Sequence, residues 1–128
     1  MGAYLRSKGY SYILRMFDGG VCMLVVTTEN IQGYKVVEVK GPVFGLIVRS
    51  RGLGADIMAS LKGLVGGEIK QYTVMLEDSR KEAMDRMIKN ANAMGANAVV
   101  MTRFDSGEAG KNMSEIFAYG TAVVVEKM

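Results

Sequence analysis

From Tyr72 to Met94 the chain repeats apolar side chains at helical spacing. Leu76, Ala83, Met84, Met87, Ile88, Ala91 and Met94 share one side, and Glu77, Asp78, Lys81, Glu82, Asp85, Arg86 and Lys89 take the other. Such a stretch is an amphipathic helix with one solvated face, and its apolar stripe has to be buried against another element. Glu77–Lys81, Glu82–Arg86 and Asp85–Lys89 stand four apart with the acid first, the orientation that supports a helix. Gly95 follows, and glycine readily takes the left-handed conformation that ends a helix. Whatever else the chain does, it has to build a surface that this helix can cover.

The remaining pattern supplies strands. Leu24 to Thr28 is short and β-prone. Tyr34 to Val39 is a second strand, continued by Val43 to Val48 after Gly41-Pro42, where the missing amide proton of Pro42 predicts a bend or an end. Ala96 to Phe104 and Glu115 to Glu126 are two more, joined by a polar hairpin loop over residues 105–112. A shorter helix is expected from Ala55 to Leu64, stopped by Gly66-Gly67. This order predicts the α+β class, with a mostly antiparallel sheet carrying its helices on one face. The runs Ala98–Met101 and Ala122–Val125 are apolar on both faces. A sheet covered on one side only should alternate, so these runs predict a second cover, most simply another copy of the chain.

With 128 residues the chain is of single-domain size. Residues 1–22 stand apart as an N-terminal extension, rich in aromatics (Tyr4, Tyr10, Tyr12, Phe17) and closed by Gly19-Gly20, with Tyr10, Tyr12, Leu14 and Met16 alternating as one face of a strand. They hold three of the basic residues, Arg6, Lys8 and Arg15, against Asp18, whereas the rest of the chain is nearly balanced. The overall charge of +3 therefore gives the main domain, residues 23–128, no basic footprint for nucleic acid. No apolar run has the roughly 20 residues that span a bilayer, and the N-terminus has no apolar core of a signal peptide. A single cysteine, Cys22, forms no intrachain disulfide. These features set a cytoplasmic expectation.

The series Gly66-Gly67-Glu68-Ile69, Tyr72, Met94-Gly95-Ala96-Asn97-Ala98-Val99-Val100, Arg103-Phe104-Asp105 and Ala118-Tyr119-Gly120-Thr121-Ala122-Val123 resembles the YbjQ-like family, uncharacterised proteins that carry a heavy-metal-binding label. The likeness covers residues 23–128. It implies a dodecin-like β-α-β-β unit with extra short strands, assembled as a homopentamer. It also implies the metal label, although the matching region has neither Cys nor His, the usual soft-metal ligands.

Candidate sites are few. Arg49-Ser50-Arg51-Gly52-Leu53-Gly54 leads from a strand toward the expected short helix, so Arg49, Arg51, Gly52 and Gly54 form a candidate anion site. Ile57 replaces the third glycine of a dinucleotide fingerprint, and no P-loop pattern is present. Met84, Met87 and Met94 could offer thioethers to Cu(I) but fall on the core stripe of the long helix. Cys22-Met23 is a second soft pair, and Glu68, Asp105, Glu108 and Glu115 are scattered loop acids without EF-hand spacing. No His is available as a base for a serine or cysteine nucleophile. The reading is a non-enzymatic homo-oligomer that binds a small ligand or serves as an assembly platform, needing no cofactor and partnered by itself. A heavy-metal-binding protein and an enzyme or binder acting on an anionic small molecule at the Arg49/Arg51 turn are the alternatives.

Overall fold

The computed structural model describes residues 3–6, 12–15, 22–50, 70–110 and 113–128. They form β1 (Ala3–Arg6), β2 (Tyr12–Arg15), β3 (Cys22–Val25), β4 (Tyr34–Ser50), α1 (Lys70–Ala93), β5 (Ala98–Gly110) and β6 (Met113–Lys127). All strands join one sheet in the order β1-β2-β3-β5-β6-β4. Neighbours run antiparallel except β3 and β5, which pair in parallel through Leu24↔Ala98 and Val25↔Val99. The chain is thus α+β with a mixed sheet. The helix expected over 55–64 and its Gly66-Gly67 stop lie outside the described residues.

The amphipathic stretch is helical from Lys70 to Ala93, and its stripe does what the spacing requires. Ala83, Met87, Ile88 and Ala91 are fully buried against Met23, Val25, Val43, Ile47, Val99, Ala118 and Ala122 of the sheet. The helix closes with the two bonds of a Schellman motif, Gly95 N–H to Asn92 O at 3.0 Å and Ala96 N–H to Ala91 O at 3.1 Å. Gly95 has φ +83°, the left-handed value this closure needs. Small residues let helix and sheet approach: Gly45 of β4 lies directly beneath the α1 backbone at Ala83 and Met87.

β4 decides between the bend and the end expected at Gly41-Pro42. It is a continuous strand that passes through Gly41-Pro42 without ending. The reason is its position at the edge of the sheet, where a proline nitrogen can face away from the ladder. Leu46 O accepts from Arg86 Nη1 at 2.7 Å and Phe44 O from Asn90 Nδ2 at 2.7 Å, so these carbonyls face the open edge. By strand alternation Pro42 shares their direction, and no partner on β6 is denied a bond. Register shifts between Val36 and Glu38 and between Val39 and Gly41 bend the strand before Pro42, with Gly41 at φ +127°.

β5 and β6 correct one expectation. The polar stretch expected as a hairpin loop is mostly ladder, with β5 running to Gly110 and β6 starting at Met113. Asp105↔Phe117, Ser106↔Ile116, Gly107↔Glu115 and Glu108↔Ser114 all pair. Polar side chains are at home there, because residues 103–108 of β5 are exposed. Between Val100 and Arg103 the register shifts, and Met101 takes φ +55°. Opposite this bulge is Gly120, where a Cβ would come within 2.7 Å of Val99 Cγ1 and 2.9 Å of Val100 O.

The second face of the sheet is partly covered by the chain itself. Val26 and Ile31, following β3, pack with Ala98, Val100, Val123 and Val125. This segment is pinned to the β5 bulge by Met101 N–H to Thr28 O, Thr102 N–H to Val26 O, both 3.0 Å, and Arg103 Nη1 to Thr27 O at 2.9 Å. The doubly apolar runs therefore find their second cover within the chain, and another copy is not required at those residues. At the mouth of β5 the Asn97 side chain acts as an extra ladder rung. Its Nδ2 donates to Val125 O at 2.9 Å and its Oδ1 accepts from Val125 N at 2.8 Å.

Candidate functional site

Beyond the cover of Val26 and Ile31, the outer face of β4 carries exposed apolar side chains next to half-buried rings of β6. On β4 it presents Phe44, Leu46 and Val48, which are 54%, 45% and 45% exposed. The register sets Phe44 opposite Tyr119 and Leu46 opposite Phe117 on β6. Their rings form one cluster, with centroids 6.2 Å apart for Phe44–Tyr119 and 5.7 Å for Phe117–Tyr119. Val36 and Val39 are exposed farther along β4. Alternation explains the pattern: Val43, Gly45 and Ile47 face α1, so Phe44, Leu46 and Val48 have to face outward. A contiguous aromatic and aliphatic surface of this kind is a feature of interaction sites.

On the helix side, α1 covers only part of β5 and β6. A groove of about 470 Å³ lies between them, lined by Leu76, Arg80, Phe104, Ser106, Ser114 and Ile116 among others. Its size falls within the range of small-ligand sites. Beside it, Arg49 at the end of β4 donates from Nη2 to Glu82 Oε2 at 3.0 Å, and Glu82 Oε1 also receives Arg86 Nη2 at 3.1 Å. These half-exposed ion pairs contribute modestly in energy, but they join the end of β4 to α1. Arg49 Nε is buried without a hydrogen-bond partner. On the same helix, burial pushes the Asp85 carboxyl above its ordinary value, opposed first by the nearby charge of Lys81.

The sequence-derived candidates separate. Arg49 is placed on α1 through Glu82, while Arg51, Gly52, Gly54 and Glu68 lie outside the described residues. Met87 is fully buried, with Met84 and Met94 packed against the same core. Asp105, Glu108 and Glu115 line one rim of the groove. Among the described residues no group of three or more His, Cys, Asp and Glu side chains converges to hold a metal ion. The described residues therefore do not fit the metal that the family label implies. Arg80 and the Phe44–Phe117–Tyr119 cluster are not singled out by sequence motifs, although the alternation Phe44, Leu46, Val48 carries the signal for the outer face. No helix among the described residues is long and apolar enough to cross a membrane.

Known proteins are similar to this chain in sequence or fold. A UPF0145 protein of Bradyrhizobium sp. (strain ORS 278) is 60% identical over 104 residues, spanning 81% of this chain and 94% of that protein. UPF0145 proteins of Sulfurisphaera tokodaii and Saccharolobus solfataricus are 58% and 59% identical, each match spanning 82% of this chain and 92% of the relative. Among solved structures, a protein of unknown function of the DUF74 family from Pediococcus pentosaceus ATCC 25745 superposes with TM-score 0.54 at 17% identity. That match covers 81% of this chain and 98% of the other, and it supports the fold. The family model for YbjQ-like proteins matches residues 23–126, and the chain belongs to this family, whose description reads "Putative heavy-metal-binding".

Proposed function

We propose that the chain is a non-enzymatic homo-oligomer acting in the cytoplasm as a small-ligand binder or assembly platform. The observation that carries this reading is the outer face of β4 and β6, where Phe44, Leu46 and Val48 stand exposed beside the Phe117–Tyr119 pair. A second copy laid on this face removes the aromatic cluster from water, and burying apolar area stabilises association by about 25 cal/mol per Å² before the costs of docking. The dodecin-like designation and the count of five subunits come with the family resemblance. The small ligand belongs in the groove at Leu76, Arg80 and Phe104, where one guanidinium, two serines and the acidic rim of Asp105, Glu108 and Glu115 meet apolar walls.

Native mass spectrometry of the untagged protein, purified without chelator, tests the reading. The expected spectrum shows multiples of 13.9 kDa, and Leu46→Lys shifts it to lower order. A wild-type monomer at micromolar concentration defeats the proposal. A reproducible small adduct identifies the ligand class, metal or organic.

An anionic ligand at the Arg49/Arg51 turn is the second reading, supported by the buried and unpartnered Arg49 Nε. It predicts a phosphate-induced rise in melting temperature that Arg49→Ala abolishes. No rise with wild type defeats it.

A further inference from the structure

The two borders of the family unit are protected in different ways. β4 carries Pro42, Lys40 and two register shifts, and the Phe44 and Leu46 carbonyls are already taken by Asn90 and Arg86. Such features discourage another strand from pairing with an edge. β3, Cys-Met-Leu-Val, has none of them, for it holds no charge and no proline. Leu24 N–H donates to Asn97 O at 3.1 Å and Val26 N–H to Val99 O at 3.0 Å, so these residues direct their peptide groups to β5. By alternation Met23 and Val25 direct theirs the other way. Met23 is 0% exposed and Val25 nearly as buried, and buried peptide groups need partners. β2 supplies them, with Leu14 opposite Met23 and Tyr12 opposite Val25, and β1 backs β2. The family match begins at Met23, so this hairpin lies outside the shared unit.

We propose that the β1–β2 hairpin is a plug on the β3 edge, and that β3, when uncovered, pairs antiparallel with β3 of a second copy of this chain. A four-residue apolar strand is self-complementary about a twofold axis, and main-chain bonds supply the recognition. The hairpin thereby decides whether the sheet stops within one chain or continues into another. This association uses the strand edge, and it is separate from the outer face at Phe44 and Tyr119.

Leu14→Pro in the full chain tests it by removing the amide that faces Met23. At dilution, where the variant is monomeric, hydrogen exchange by NMR is expected to quicken at the Met23 and Val25 amides by about ten-fold or more, while Leu24 and Val26, bonded to β5, keep their protection; as concentration rises and copies pair, Met23 and Val25 regain theirs. Light scattering is expected to show the particle mass rising with concentration toward twice the wild-type value. Unchanged exchange at Met23 and Val25 in the dilute variant overturns the proposal, and so does faster exchange there without a gain in mass at higher concentration. If Leu14→Pro unfolds the chain, the paired change Tyr12→Gly and Leu14→Gly, which weakens β2 but keeps its amides, is read in the same way. Global unfolding by both overturns the plug, since the hairpin is then part of the core. A wild-type monomer whose mass doubles in the variant separates this edge from the outer-face reading.

Discussion

Gly45 lies so close beneath Met87 that a Cβ on it would come within 2.9 Å of the Met87 Cα. Helix and strand touch backbone to backbone there, which brings Arg86 and Asn90 over the β4 edge to reach its carbonyls. Gly45→Ala has to lift α1 from the sheet. The expected loss is about 3 kcal/mol, the upper part of the usual range for overpacking, read as a lower urea midpoint at an unchanged slope. A loss below about 0.5 kcal/mol, the scale of an ordinary surface change, shows that the helix can shift freely.

Met101 holds φ +55° in the β5 bulge with its side chain partly exposed. A left-handed conformation costs a non-glycine residue about 1–2 kcal/mol. Met101→Gly removes that strain and gives back part of it as unfolded-chain entropy. The expected net effect is a small rise in melting temperature, measurable by calorimetry. A fall shows that the Met101 side chain contributes more than its exposure indicates.

Thr102 is buried beside the same bulge, and its Oγ1 has no hydrogen-bond partner. Thr102→Val keeps the shape and removes the unpaired hydroxyl. An unsatisfied buried polar group costs about 1–3 kcal/mol, so the variant is expected to be more stable in chemical unfolding. Destabilisation shows that the hydroxyl is bonded in solution.

Asp85 gives a pH signature. Its folded carboxyl sits above the ordinary value of 3.8, chiefly through burial. The folded state then holds the proton more tightly than the unfolded chain. This contribution to stability is complete below the ordinary value and disappears as pH rises through the folded value. Melting temperatures of wild type minus Asp85→Asn are expected to fall across that interval and flatten above it. A difference that rises with pH contradicts burial as the main cause.

The legible parts of the fold were those decided locally. The 3.6-residue spacing of Ala83, Met87 and Ala91 and the glycine at 95 are enough to place α1. Pro42 is ambiguous in sequence because its meaning depends on whether β4 lies inside or at the border of the sheet, which β6 decides from about eighty residues away. Asp105 to Glu108 read as a turn because polarity marks exposure, and a ladder exposed to water has the same composition as a loop. The bulge at Met101 leaves no sequence trace, since methionine is not a residue chosen for positive φ. At the candidate site Arg49 could be found from sequence, but its partner Glu82 could not, because a salt link between a strand end and a helix follows from packing. The outer face was written in the alternation of Phe44, Leu46 and Val48, and the placement of Val26 and Ile31 shows which part of that side they cover.

The Asn97 side chain meets Val125 as a peptide unit would, giving one bond and receiving another. No other side chain reproduces both at that reach. Aspartate keeps the acceptor but sets a negative oxygen against the Val125 carbonyl, serine is too short to span the two atoms, and glutamine overshoots them. Hydrolysis of this one amide to a carboxylate, a slow reaction that asparagine undergoes in any ageing protein sample, would reverse the polarity of half the rung. The join between β5 and β6 thus carries its own chemical clock, marked by a change of a single functional group.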